Sequence, residues 1–146
     1  RLYVATRCLQ EKEDYYVSSS GRDGRVWSDD SVEFLLNDPR ATEARDYFQV
    51  ILNSQEQPNI FDMWQGDAEW NGEIESAAVR TPGEGWTIEF SIPLAPMGWQ
   101  ANGTKLLKMN FVRNVVGVRE YLEVSNWFPT FHANGDLQSR GWLILE

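Results

Sequence analysis

The sequence predicts an all-β protein: an antiparallel β-sandwich, immunoglobulin-like or jelly-roll-like in its layering. Three observations carry that expectation. Short runs rich in β-branched and aromatic residues recur along the chain, dipeptides that favour tight turns separate them, and no segment repeats its apolar residues with a helical period. At 146 residues and 42% hydrophobic, the chain suits one domain over 1–146 with a substantial core. No internal repeat, linker or low-complexity tract divides it.

The elements follow in order. Extended segments are expected at 2–9, 14–18, 31–37, 46–53, 73–80, 86–92, 106–114, 122–127 and 141–145. In 31–37, Val32, Phe34 and Leu36 share one parity; in 46–53, Phe48, Val50 and Leu52 do, as one buried face requires. Asp23-Gly24, Asp38-Pro39, Asn71-Gly72, Pro82-Gly83, Asn102-Gly103 and Asn134-Gly135 mark the turns, because these residues adopt positive φ or fix it. Asn102-Gly103-Thr104 also fits a glycosylation acceptor, but the turn explains it first. Two prolines in "IPLAPMG" (92–98) end the strand before them, since neither could donate to a central ladder. Trp86 and Trp142 each open or sit in an alternating strand and are expected in the core. Cys8 is the single cysteine, a buried filler that leaves no internal disulfide and no thiolate metal site.

Composition narrows the partners. A net charge of −9, from 22 acidic and 13 basic residues, opposes nucleic-acid binding, which needs a basic face to displace counterions. No apolar run approaches the ~20 residues that cross a bilayer, so no membrane insertion is expected. The opening "RLYVATRCLQ" reads as a strand already under way, which implies a longer parent chain with any targeting signal upstream. Neutral ligands meet no such repulsion, and carboxylates accept hydrogen bonds from hydroxyls, so sugars suit this chain.

One stretch concentrates the candidate chemistry. "RDGRVWSDDSVEFLLND" (22–38), if extended from residue 27, places Trp27, Asp29, Ser31 and Glu33 on the face opposite the core. A hairpin folding about residue 41 brings Gln49 beside Glu33 on that face, with Tyr47, Ile51 and Asn53. A sugar ring offers an apolar C–H face to an aromatic plate and a rim of hydroxyls to polar groups; Trp27, Glu33 and Gln49 supply both. Ordinary patterning is the competing account, with Trp27 at a rim and Glu33 a solvated strand carboxylate.

Other chemistries have less to stand on. Asp29 and Glu33 form a carboxylate pair in principle, but pairs arise by chance in an acidic chain, and no enzyme is expected. His132 is the only histidine, in the loop-like "PTFHANG", without a base-orienting partner, and zinc ligands are lacking. Asp29, Asp30, Asp67 and Glu69 leave a possible structural calcium open, without EF-hand spacing. Met63 in a loop, Met97 after a turn, Met109 in a core strand and His132 are the available haem ligands for an electron-transfer alternative, none with distinctive spacing. A third alternative is a spacer domain without a ligand.

Taken together, "LYVATRC", "VWSDDSVEFLLN", "YFQVILN", "GWTIEFSIPLAPMG", "KMNFVRN", "SNWFPTF" and "RGWLILE" resemble family 9 carbohydrate-binding modules over nearly the whole chain. The W-x-x-D-x-x-E element, here Trp27, Asp30 and Glu33, is the most specific part; the strands that usually precede "LYVA" are missing. The resemblance implies a sandwich that binds sugars without cleaving them. It also implies an accessory role in a secreted or cell-surface protein such as a plant-polysaccharide glycoside hydrolase, with glucan or xylan chain ends as ligands. On it, Trp27 matches the first stacking aromatic and Glu33 the carboxylate; Gln49 stands where an arginine is common, and Ile51 replaces a polar neighbour. The second aromatic belongs to the loop before the last strand, where Asn134 aligns, leaving Trp127, Phe131 or His132 to fill the role. Asn110 and Arg113 are expected to brace loops.

Overall fold

The computed structural model describes residues 1–10, 14–100, 103, 106–116, 123–130 and 136–145. Among them the chain forms β1 (Leu2–Leu9), β2 (Ser31–Asn37), β3 (Phe48–Asn53), β4 (Ile60–Trp64), β5 (Glu75–Thr81), β6 (Gly85–Ile92), β7 (Leu106–Val115), β8 (Glu123–Asn126) and β9 (Gly141–Ile144). Two short 3-10 turns, Val26–Ser28 and Ala95–Met97, are the only helical pieces among the described residues. None is long and apolar enough to cross a membrane.

All pairings are antiparallel. A three-stranded sheet runs β1-β6-β5, and a six-stranded sheet runs β4-β3-β2-β7-β8, with β9 paired to β7 beside β8. The two sheets enclose one core. Val32, Phe34 and Leu36 from β2 and Phe48, Val50 and Leu52 from β3 face Trp86, Ile88, Phe90 and Ile92 from β6. Phe34 lies between both layers, its ring 5.9 Å from Phe90 across the gap and 4.6 Å from Phe111 within its own sheet. Burial of such side chains, worth ~1.5–3 kcal/mol each, is what commits the strands to this parity.

The sandwich and most strands match the sequence reading, with three differences. Residues 14–18 form no strand, although "DYYVS" has the composition; their backbone groups bind carboxylates instead of a ladder. Ile60–Trp64 does form a strand, β4, so Met63 belongs to the sheet and not to a loop. Asp62 in its middle faces inward, which breaks the apolar alternation that would have revealed it. Trp142 is 59% exposed, against the core position expected, because β9 turns it to the sheet's outer side; Trp86 is core, at 1%. Cys8 is buried in the core, as its strand pattern predicts, and burial lifts its thiol pKa to about 11, leaving it protonated at neutral pH.

Gly85 opens β6 where β1 passes closest. Its φ is +134°, and a Cβ there would come within 2.0 Å of the Cys8 carbonyl oxygen. Gly85→Ala is therefore expected to unpair the end of β1 from β6 and to destabilise the fold by about 3 kcal/mol, read as a lowered urea midpoint.

Candidate functional site

The outer face of the six-stranded sheet carries the chemistry. Residues directly opposite one another in antiparallel strands share a face, so the register defines a row Phe61–Ile51–Glu33–Val112–Asn126 across β4, β3, β2, β7 and β8. The next rows hold Asn53–Ser31–Asn114–Val124 on one side and Met63–Gln49–Leu35–Asn110 on the other. Glu33 sits at the centre. Its Oε1 accepts Asn114 Nδ2 at 2.9 Å and its Oε2 accepts Gln49 Nε2 at 2.9 Å. Gln49 lies diagonally from Glu33, since Glu33 faces Ile51; the hairpin pairs two residues away from the expected register yet still joins the two side chains.

Trp27 reaches this face from the side. Residues 26–28 coil as a 3-10 turn, so the strand parity read from residue 27 begins only at Ser31. The indole is 40% exposed and stands edge-on to Phe61, centroids 5.4 Å apart at 86°. Phe61 in turn heads the Glu33 row, two strand spacings or about 10 Å from it. An aromatic plate packed on Phe61 and an oriented carboxylate thus share one side of the sheet. The preceding loop is pinned to β4: Arg22 pairs with buried Asp62 and donates to the Gly72 carbonyl at 3.2 Å, and Asp23 N–H bonds the Ile60 carbonyl at 2.8 Å. Burial raises the Asp62 pKa, opposed by the Gly72 N–H and the Arg22 charge.

Asp29 and Asp30, expected as platform or calcium carboxylates, are fully buried and turned to another task. Asp29 accepts from the Ser18 and Ser19 amides at 2.8 and 3.1 Å, from both serine hydroxyls, and from Asn53 Nδ2 at 3.0 Å. Asp30 accepts from Gln10 Nε2 at 2.9 Å, Tyr16 N–H at 3.1 Å and Val116 N–H at 2.6 Å. Asp67 accepts the Glu69 amide in the turn after β4, and no three acidic, cysteine or histidine residues converge to hold a metal among the described residues.

The outer face is partly roofed. Asn110 accepts the Phe128 N–H at 2.9 Å and donates to the Phe128 and Ser139 carbonyls, strapping those segments over β7. Arg140 donates to Asn37 Oδ1 at 2.8 Å and lies 4.7 Å above the Tyr47 ring; burial brings its pKa down to about 10. Every residue of β2 is consequently buried, Glu33 at 3% exposure included, so this carboxylate is a held group and not a solvated one. Arg113, on the core side, donates to the Leu9 carbonyl at 2.7 Å and braces β1.

The second aromatic is less well placed. Trp127, 62% exposed, follows the register of Phe111 and packs at 6.1 Å against it, on the sheet face opposite Glu33. It therefore does not join Trp27. Phe131 and His132 lie outside the described residues. Of the haem candidates, Met97 and Met109 fill the core, and Met63 lies on the outer face opposite Gln49. Sequence reasoning missed Phe61, Asn114 and Asn126. Among the described residues, Asn126 Oδ1 on the Glu33 row is buried without a hydrogen-bond partner, an arrangement that costs about 1–3 kcal/mol.

The fold has a solved counterpart. A crystal structure from Bacteroides uniformis ATCC 8492, of a candidate carbohydrate-binding protein, superposes with a TM-score of 0.60 at 21% identity, over 90% of this chain and 68% of that one. The likeness is one of fold. No protein-family model matches the sequence, and no curated protein does.

Asp29 gives a test of how the site is held. Burial pushes its pKa up, but the bonds from Asn53, Ser19 and the Ser18 and Ser19 amides outweigh that, and the net pKa is lowered below 3.8. A depressed carboxylate contributes stability above its unfolded pKa and loses it as pH falls through the folded value. Asp29→Asn should cost about 1.5–3 kcal/mol at neutral pH, and the gap from the parent should narrow progressively as the pH is taken down through the lowered carboxylate pKa, measured by urea unfolding across an acid series.

Proposed function

We propose that this protein is a non-catalytic carbohydrate-binding module of the family 9 kind. In this reading it takes a mono- or oligosaccharide unit, such as a glucan or xylan chain end, on the outer face of the six-stranded sheet. It serves as an accessory part of a larger secreted or cell-surface protein, such as a glycoside hydrolase. The observation that carries the reading is the exposed Trp27 indole, fixed against Phe61 in the same cross-strand row as the amide-held carboxylate of Glu33. The candidate carbohydrate-binding character of the structural neighbour supports it.

The division of labour follows from the side chains. Trp27 gives the apolar C–H face of a sugar ring a flat partner, and its wedge against Phe61 fixes its orientation before the ligand arrives. Gln49 and Asn114 orient the Glu33 carboxylate, while Gln49, only half-buried, carries a second N–H and a carbonyl for sugar hydroxyls. Binding without cleavage suits a single carboxylate, because glycoside hydrolysis takes two carboxyl groups across the bond and Asp29 is committed to the Ser18–Ser19 backbone.

Calorimetric titration with glucose, xylose, cellobiose, soluble glucan and xylan tests this. Binding to at least one is expected, and Trp27→Ala should weaken it by roughly 1–3 kcal/mol in protein that still unfolds cooperatively, with only a modest fall in the unfolding midpoint from the lost Phe61 contact. Silence with all five in folded protein would overturn the proposal.

A further inference from the structure

A second cleft opens at the other end of the sandwich. Glu33 lies near the start of β2, whereas this cleft begins at Asp38, just past its end, about 16 Å further along the strand direction. It measures about 450 Å³ and is walled by Trp64 and Trp99, with Asp38, Arg40, Asp46 and Gln65 around the polar side. That volume and that mixture fall within the range of small-ligand sites.

We propose that this cleft is a second saccharide-binding site, independent of the Trp27 face. The two indoles meet edge to face, centroids 5.3 Å apart at 80°, and Trp99 is almost wholly buried, so the half-buried Trp64 ring is held as a fixed wall. The polar groups supply acceptors and donors together. Asp38 grips Arg40 by two bonds of 2.9 and 2.8 Å, which stations a guanidinium at the rim, and Gln65 Nε2 donates to Asp46 Oδ1 at 3.2 Å. A quaternary ammonium ligand would have no use for the guanidinium and amide donors, and an anion would meet two carboxylates. A polyol uses both, with its ring face on the indole.

Gln65 adds an independent sign. Trp64 and Asp67 close a two-residue turn with mutual backbone bonds of 3.3 and 3.0 Å, and its central residues, Gln65 and Gly66, have φ of +53° and +79°. Such turns favour Asn, Asp or Gly at the first central position, because a longer L side chain is disfavoured in the left-handed region. Glutamine is a poor choice for the turn. It is a good one for reaching Asp46 and lining the cleft.

The test uses protein carrying Trp27→Ala, so that failure of the first site and failure of this one are read separately. Cellohexaose and xylohexaose are titrated while indole N–H signals are followed by 1H–15N NMR, with Trp64 assigned through Trp64→Phe. The Trp64 signal is expected to shift saturably with one of them. Gln65→Gly should keep or raise the melting temperature, since glycine suits the turn, yet weaken that binding about fivefold, the loss of one hydrogen bond. A Trp64 signal unmoved by either sugar up to millimolar concentration, or a Gln65→Gly protein titrating like its parent, would overturn the proposal.

Discussion

Two adjacent carboxylates with no exposure to solvent, Asp29 and Asp30, hold the site end of this sandwich together. A buried carboxylate is tolerable only if donors surround it, and here the donors come from four separate stretches of chain: Gln10, Tyr16 to Ser19, Asn53 and Val116, around the start of β2. The result is that residues 14–20, which make no strand, are still fixed to the large sheet. Trp27 lies immediately before this knot and Glu33 shortly after it. The spacing between plate and acid is therefore set by the knot and not by strand geometry alone.

The outer face of the large sheet works by the same rule. It is polar where a sandwich would ordinarily meet water, with Ser31, Glu33, Asn37, Asn53, Asn110 and Asn114 all buried. Amides satisfy the carboxylate, and Asn110 satisfies backbone groups of the segment crossing above it. A network satisfied in this way keeps its side chains in one arrangement, and a binding surface needs that to avoid ordering them on each encounter. The cleft beside Trp64 achieves comparable rigidity by indole packing and a strained turn.

Much of this was legible in the chain. The alternation of Val32, Phe34 and Leu36 against Phe48, Val50 and Leu52 identified the central hairpin and put Glu33 and Gln49 on a common face, because side-chain direction in a strand has a period of two. β4 escaped because Asp62 occupies an inward position, kept there by Arg22 and the Gly72 amide from distant parts of the chain. The segment 14–18 was misread for the opposite reason: its aromatic and β-branched composition suits a strand, but its N–H groups find carboxylates first. Trp142 shows that alternation alone does not say which parity faces the core in a short edge strand.

By itself, then, the sequence determined the class of fold, the strands whose apolar periodicity is unbroken, and the grouping of an indole, an acid and an amide near one hairpin. All of these depend on local backbone period and composition. Only the tertiary structure decided that Asp29 and Asp30 are buried struts, that Trp127 stands on the wrong side of the sheet for Trp27, and that Phe61 and Asn114 support the candidate site. Those outcomes depend on which donor from a remote segment reaches a polar group first, and no periodicity along the chain encodes that.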